Sequence, residues 1–249
     1  MKLASDGARV VVNDLDEATA RETADAIGAA GGEAMVCAGS VTEPSFAGRF
    51  VSTAIDGFGG LDIIVNNAGY TWDSVIQKMT DEQFQAIMDV HVTAPFRILR
   101  AAAEPIRAFA KADAAAGREV FRKVVNISSV SGLGGNAGQV NYAAGKAAIV
   151  GITKTLAKEW GRYKVNVNCV AFGFIRTRMT QPMSDAVQET AERKVGVQPA
   201  MLEHLERNLI PLGRLGTPEE AAGGVYLLCI PESDYISGQV LTVGGGIRF

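Results

Sequence analysis

The 249 residues are 47% hydrophobic and 20% charged, a balance that fits a folded chain with a substantial core and excludes large-scale disorder. A formal net charge of −3 supplies no basic field to attract nucleic acid, and no apolar run approaches the length of a membrane span. Cys37, Cys169 and Cys229 are scattered singles, which argues against a disulfide framework or a zinc site and points to a reducing cytoplasm; the start, Met1–Gly7, reads as no signal peptide.

Helical and strand patterns alternate along the chain, which predicts an α/β fold with a parallel sheet. Ala8–Asp14 reads as a buried strand, followed by a helix over Leu15–Ala29 that closes at Gly31-Gly32. Glu33–Cys37 is a second strand. Thr42 is placed to cap a helix with Pro44 in its first turn, and Leu61–Val65 is a third strand. Thr80 and Gln83 have the spacing of a capping box and open a long helix expected to reach Ala108, kinked or broken at Pro95 or Pro105. Ala110–Gly117 reads as a surface extension of a helix. Lys123–Ile127 is the next strand, Ser131–Gly138 a glycine-rich loop, Val140–Trp160 a helix and Lys164–Val170 a strand. Thr177–Pro211 carries charged helical fragments, as a cover over a site would. Thr217-Pro218-Glu219-Glu220 opens another helix, and Gln239–Val243 is the final strand. No repeat or linker divides the chain, so residues 1–249 are expected to form one domain.

The chemistry is carried by Tyr142-Ala143-Ala144-Gly145-Lys146, with Ser129 thirteen residues before the tyrosine. Residues four apart share a helix face, so the phenol and the ammonium can act together. A cationic neighbour favours the phenolate and lowers the tyrosine pKa towards the operating pH. A serine hydroxyl at the same point can bind a carbonyl oxygen as negative charge builds on it. The competing reading is an exposed tyrosine and a solvated lysine on an amphipathic helix. Placement argues against it, because the serine ends a buried strand and open α/β sheets bind ligands at strand C-terminal ends.

Asn126-Ile127-Ser128-Ser129 and Gly138–Lys146 together resemble the catalytic segment of the short-chain dehydrogenase/reductases. Asn66-Asn67-Ala68-Gly69, directly after a strand, resembles the element that shapes that family's sheet and cofactor pocket. Ile210–Arg214, Gly216–Glu220 and Ser237–Val240 are similar to its C-terminal part, so the resemblance covers essentially the whole chain. The nearest flavour is the 3-oxoacyl-acyl-carrier-protein reductases. The resemblance implies a Rossmann-like, doubly wound parallel sheet in three α/β/α layers. It also implies an NAD(P)-dependent oxidoreductase interconverting a secondary alcohol and a ketone, with 3-oxoacyl thioesters among the candidate substrates.

Carried over by residue, the resemblance makes Tyr142 the general acid for the carbonyl oxygen. Lys146 would hold the nicotinamide ribose and lower the tyrosine pKa, and Ser129 would orient the substrate oxygen. Neighbouring Ser128 is expected to be tied to backbone. Asn67, Ala68, Gly69, Gly173, Ile175 and Thr177 would meet the cofactor, Thr177 at the carboxamide unless it caps the next helix. Ser40 and Val41 take the adenine end. Asp14 would accept from the adenosine ribose hydroxyls and repel a 2′-phosphate, favouring NAD over NADP; the alternative is a helix cap. The partners implied are a small carbonyl or alcohol and further copies of the chain in a dimer or tetramer, with no nucleic acid, membrane or metal.

Four positions depart from the family. Phe172-Gly173 stands for a Pro-Gly pair, and Ser40 for an aspartate that contacts adenine. His91 stands for the asparagine of the proton relay; it can still pass a proton through water, or be a structural histidine. His204 is expected to be solvated. The fourth departure concerns the start. The strand and TGxxxGxG turn that precede the first helix in the family have no counterpart in these residues, and Gly132–Gly138 and Gly244–Gly246 follow other strands. That strand would lie between Ala8–Asp14 and Leu61–Val65, leaving a gap of ~10 Å. Each buried backbone group left unpaired there costs about 1–3 kcal/mol. The expectations are a shortened start of a longer gene product, or compensation within the fold, and NAD bound weakly or not at all by the 249 residues. The rival from another class is a non-catalytic scaffold or oligomer subunit, favoured by the missing loop and opposed by the intact Ser129, Tyr142 and Lys146.

Overall fold

Apolar β-branched runs give the chain its strands, and these fall into two sheets rather than one. The computed structural model describes residues 1–177, 180 and 199–247. Strands β1 (Val10–Val12) and β2 (Ala34–Val36) pair in parallel as a two-stranded sheet. Strands β3 (Ile63–Asn66), β4 (Arg122–Ser129), β5 (Val165–Phe172) and β6 (Val240–Val243) form a separate parallel sheet in the order β3-β4-β5-β6. Between β1 and β3 lies an apolar slot of about 380 Å³, lined by Val10 and Val11 on one side and Ile63, Ile64 and Val65 on the other. The gap expected between Ala8–Asp14 and Leu61–Val65 is therefore present.

All eight residues of β4 are buried, and its alternate side chains serve opposite faces. Val124, with Val165 and Val167 of β5, packs against helices α3 (Phe46–Phe58), α5 (Ala94–Ala115) and α7 (Val140–Trp160). Val125, Ile127 and Val170 pack on the other face against Leu3 of α1 (Lys2–Ser5) and Val225 of α9 (Pro218–Leu227). This is the expected three-layer α/β/α arrangement, with its sheet divided. Helix α2 (Glu17–Ala29) bridges β1 and β2.

Several boundaries move for identifiable reasons. Helix α3 starts at Phe46, leaving Pro44 outside, because the Thr42 hydroxyl engages Ser40 Oγ at 2.8 Å instead of capping. The capping box at Thr80 and Gln83 opens α4 (Asp81–Met88), which gives way to a π-helical turn over Asp89–Thr93 before α5. Pro95 has no N–H for the carbonyl four residues back, so the ladder is interrupted just ahead of it. Pro105 lies inside α5 without ending it, and the helix runs to Ala115, past the expected Ala108. The loop expected over Ser131–Gly138 begins as a short helix, α6 (Val130–Gly134), because Ser129 Oγ accepts the Ser131 N–H at 3.2 Å. Of the cover segment over Thr177–Pro211, residues 178–179 and 181–198 lie outside the described residues; its described part includes α8 (Pro199–His204) and a π-helical turn, Leu205–Leu209.

Candidate active site

The C-terminal ends of β3, β4 and β5 open into a cleft of about 750 Å³. Asn67, Gly69, His91, Ser129, Tyr142, Lys146, Gly173, Ile175 and Thr177 all line it. Ser129 is the last residue of β4 and is 9% exposed, while Tyr142 and Lys146 stand one turn apart on α7. Lys146 is buried and its Nζ lies 5.6 Å from the Tyr142 ring centroid. The same Nζ donates to the Ile127 carbonyl at 2.8 Å, which leaves two of its three protons for other acceptors. The Ser129 side chain faces the phenol closely enough to lower its pKa. Ser128 does not share this role: its hydroxyl donates to the Lys146 carbonyl at 2.6 Å and so pins α7 to β4.

Electrostatics correct one expectation. Burial raises the Tyr142 pKa above its usual value, the Ser129 side chain opposes this, and the Asp73 carboxylate adds to the rise. The lysine does not pull the phenol down here. Burial instead lowers Lys146 itself to about 8. The phenol is therefore protonated at neutral pH, the form that can give a proton to a carbonyl oxygen, with an ammonium near its titration point beside it.

The adenosine-end residues are not brought into this cleft. Asp14 and Ser40 follow the strands of the two-stranded sheet, and neither they nor Val41 or Ala68 line the cavity. Asp14 Oδ1 accepts the Asp16 N–H at 3.0 Å, while Asp16 is the residue that caps α2, through the Ala18 N–H. Asp14 is thus a turn-stabilising carboxylate and not the helix cap. The Thr177 N–H donates to Thr180 Oγ1 at 2.9 Å, and the helix that Thr177 was expected to cap lies outside the described residues. Gly173 is required by close approach, since a Cβ there would lie 2.7 Å from Gly244 Cα. His204 is exposed and pairs with Asn208 at 3.0 Å.

Comparison with known proteins gives the family. A family model described as enoyl-(acyl carrier protein) reductase matches residues 1–248. The 3-oxoacyl-acyl-carrier-protein reductase FabG of Vibrio cholerae serotype O1 is 37% identical over 245 residues, covering 98% of this chain and 89% of the relative. The chain belongs to the short-chain dehydrogenase/reductase family. The short-chain reductase protein NovJ of Streptomyces niveus is 36% identical over 98% of this chain and 86% of its own length. A gluconate 5-dehydrogenase from Burkholderia cenocepacia, solved with NADP and tartrate, superposes with a TM-score of 0.81 at 27% identity, over 98% of this chain and 87% of that one. As a short-chain dehydrogenase/reductase, the protein is a nicotinamide-dinucleotide-dependent oxidoreductase of alcohol and ketone groups. The rival reading, a non-catalytic scaffold, gains no support from these relatives.

In this short-chain dehydrogenase/reductase, a further set of residues holds Ser129, Tyr142 and Lys146 in place, and their contacts are not visible in the sequence. Asn126 Nδ2 donates to Thr153 Oγ1 at 2.9 Å, and its Oδ1 accepts from Asn66 Nδ2 at 2.8 Å, which ties β3, β4 and α7 beneath the cleft. Asn141, fully buried, donates to the carbonyls of Trp72 and Gln83 and accepts the Tyr142 N–H at 2.7 Å. Gln139 donates to Asp73 at 2.7 Å and accepts from Ser131 and Asn136, which locks the turn ahead of Tyr142 to the loop after β3. The signal available was the run of amide side chains flanking the tyrosine; which partner each one takes depends on loops more than fifty residues away.

Proposed function

We propose that residues 1–249 act as one catalytic domain reducing a ketone to a secondary alcohol with NADH, a 3-oxoacyl thioester being the preferred substrate class. The observation that carries this reading is Ser129, Tyr142 and Lys146 converging at the strand ends in one cleft. The cleft volume falls within the range of about 300–1,000 Å³ typical of small-molecule sites, and the donor set suits a nicotinamide riboside. Lys146 and Thr177 would hold that end of the dinucleotide, with Asn67, Gly69, Gly173 and Ile175 walling it, and Asp14, Ser40 and Val41 at the adenosine end. The dinucleotide, when bound, supplies the hydride. Ser129 orients the carbonyl oxygen by hydrogen bond, Tyr142 gives that oxygen its phenolic proton, and Lys146 keeps an ammonium beside the phenolate that results.

Asp14 supports NAD over NADP through repulsion of a 2′-phosphate, although the gluconate 5-dehydrogenase was solved with NADP. The substrate class follows the 3-oxoacyl-acyl-carrier-protein reductases among the relatives. A cytoplasmic homo-oligomer, dimer or tetramer, is part of the same reading; among the described residues no helix is long and apolar enough to cross a membrane. The test is Tyr142→Phe, assayed for reduction of an acetoacetyl thioester at saturating NADH. Loss of the general acid should lower kcat by about 10²–10⁴-fold with the melting profile unchanged. Turnover within twofold of the parent would remove Tyr142 from the mechanism.

A further inference from the structure

His91 occupies the position where the resemblance places a relay residue, and its surroundings argue for different work. It is the central residue of the π-helical turn between α4 and α5, a distortion that recurs at functional sites. The imidazole is 4% exposed. Its Nε2 lies 2.8 Å from the Tyr70 carbonyl oxygen. A carbonyl carries no proton to give, so Nε2 bears the hydrogen and the tautomer is fixed.

The ring is also held by shape. Its centroid lies 5.1 Å from that of Tyr142, with the planes at 87°, the edge-to-face arrangement aromatic rings prefer. Two glycines make the slot. A Cβ on Gly69 would fall 2.2 Å from the imidazole Cε1, and one on Gly145 would fall 3.2 Å from the His91 Cβ. The charged group facing the ring is Lys146, one helical turn from Tyr142 on α7. Burial, followed by that positive charge, pushes His91 down to about 3.

We propose that His91 is a positioning residue: a neutral imidazole, anchored by Tyr70 through its Nε2–H, that sets the Tyr142 ring against Ser129 and relays no proton. A histidine taking up a second proton would place a second positive charge beside Lys146, and among the described residues no carboxylate lies against the ring. The Tyr70 carbonyl follows the Asn66–Gly69 element, so His91 couples the end of β3 to the catalytic helix. This rests on the reading of Tyr142 as proton donor.

The test combines a spectroscopic arm with a kinetic one. The chain has two histidines, so ¹⁵N-histidine labelling gives two sets of ring signals, and loss of one set in His91→Phe assigns them. His91 should show the Nε2–H tautomer and no titration between about pH 5 and 9, the range where an ordinary histidine changes charge. Titration within that range, or an Nδ1–H tautomer, overturns the proposal. With an acetoacetyl thioester and NADH, His91→Ala should lower kcat by about 10²-fold, as small misplacements of a reacting group do, with KM within twofold. His91→Phe, which keeps the ring and loses the Tyr70 bond, should recover most of that loss. His91→Ala within twofold of the parent, or His91→Phe no faster than His91→Ala, sinks it. Tyr142→Phe measured in parallel separates the two readings: full turnover there removes the proton donor, whereas the histidine signals report on His91 directly.

Discussion

Lys146 is the residue whose environment most constrains how the protein responds to pH. Burial lowers its pKa from the ordinary 10.5 to about 8, so the folded chain releases this proton while the unfolded chain still holds it. Between those values the unfolded state binds more protons, and stability rises with pH. Activity should move the other way, because the ammonium is what the cofactor ribose and the phenolate need. We expect kcat/KM for the cofactor, which reports on the free protein, to fall above about pH 8 while the melting temperature rises relative to Lys146→Met across the same window. A melting temperature that falls across that window relative to Lys146→Met would contradict the assignment. At the adenosine end, Asp14→Ala should shrink a preference for NADH over NADPH in kcat/KM, since a carboxylate beside a ribose phosphate is repulsive and poorly screened in a cleft. Better use of NADPH by the parent protein would reverse the cofactor reading.

At the scale of elements, catalysis depends on how closely α6 and α7 approach β4. A Cβ added at Gly132 of α6 would sit 2.6 Å from the Lys146 carbonyl carbon and 2.7 Å from its Cβ, contacts that no flexible side chain relieves. Gly132→Ala should therefore push α7 outwards, cost about 1–3 kcal/mol of stability as overpacking does, and lower kcat by disturbing the Ser128–Lys146 and Lys146–Ile127 bonds. Differential scanning calorimetry and steady-state rates together check this; an unchanged melting temperature would mean that the helix has room to shift. The sequence made α7 legible residue for residue, because Val140–Trp160 is bounded by the glycine-rich loop ending at Gly138 and by Gly161. It under-read β4 and β5, which extend to Arg122–Ser129 and Val165–Phe172. Arg122, outside the expected strand, and Lys123, at its start, are both buried, Lys123 because Asn166, Ser233 and Asp234 all accept from its Nζ. Long-range partners of that kind leave no local mark. The convergence of Ser129, Tyr142 and Lys146 on one cleft was readable because their spacing is local to one helix and one strand end, whereas the networks through Asn126, Asn141 and Gln139 join segments far apart in the chain.

At the scale of the whole molecule, the division of the sheet governs what the cleft can hold. Among the described residues β1 pairs with β2 alone and β3 with β4 alone. In a parallel ladder, alternate residues serve opposite edges. The Val10 N–H goes to Glu33 and the Cys37 N–H to Val12, so Val11 turns its N–H and C=O towards the slot; the Lys123 N–H goes to Asp62, so Ile63 and Val65 do the same from β3. Each such group left unpaired costs about 1–3 kcal/mol, and the slot continues into the catalytic cleft, which shares Leu3, Val10 and Val65 with it. A variant in which about twenty residues, enough for a strand and a glycine-rich turn, are fused ahead of Met1 should therefore join the two sheets into one and bring Asp14 into line with the cleft. Its turn would present backbone N–H groups to the pyrophosphate at a helix start. Calorimetric titration should show NADH bound at least tenfold more tightly by the extended form than by the 249-residue form. At a hundredfold excess over Kd, the ligand should add about 2.7 kcal/mol of stability, read as a rise in Tm that the shorter form shows only at higher cofactor concentration. Amide exchange at Val11, Ile63 and Val65 supplies the structural readout: these positions should be protected in the extended form and exchange readily in the shorter one. Micromolar NADH binding by the 249-residue form, or equal protection at those three amides in both forms, would mean that the slot is closed by other means and does not limit the cofactor.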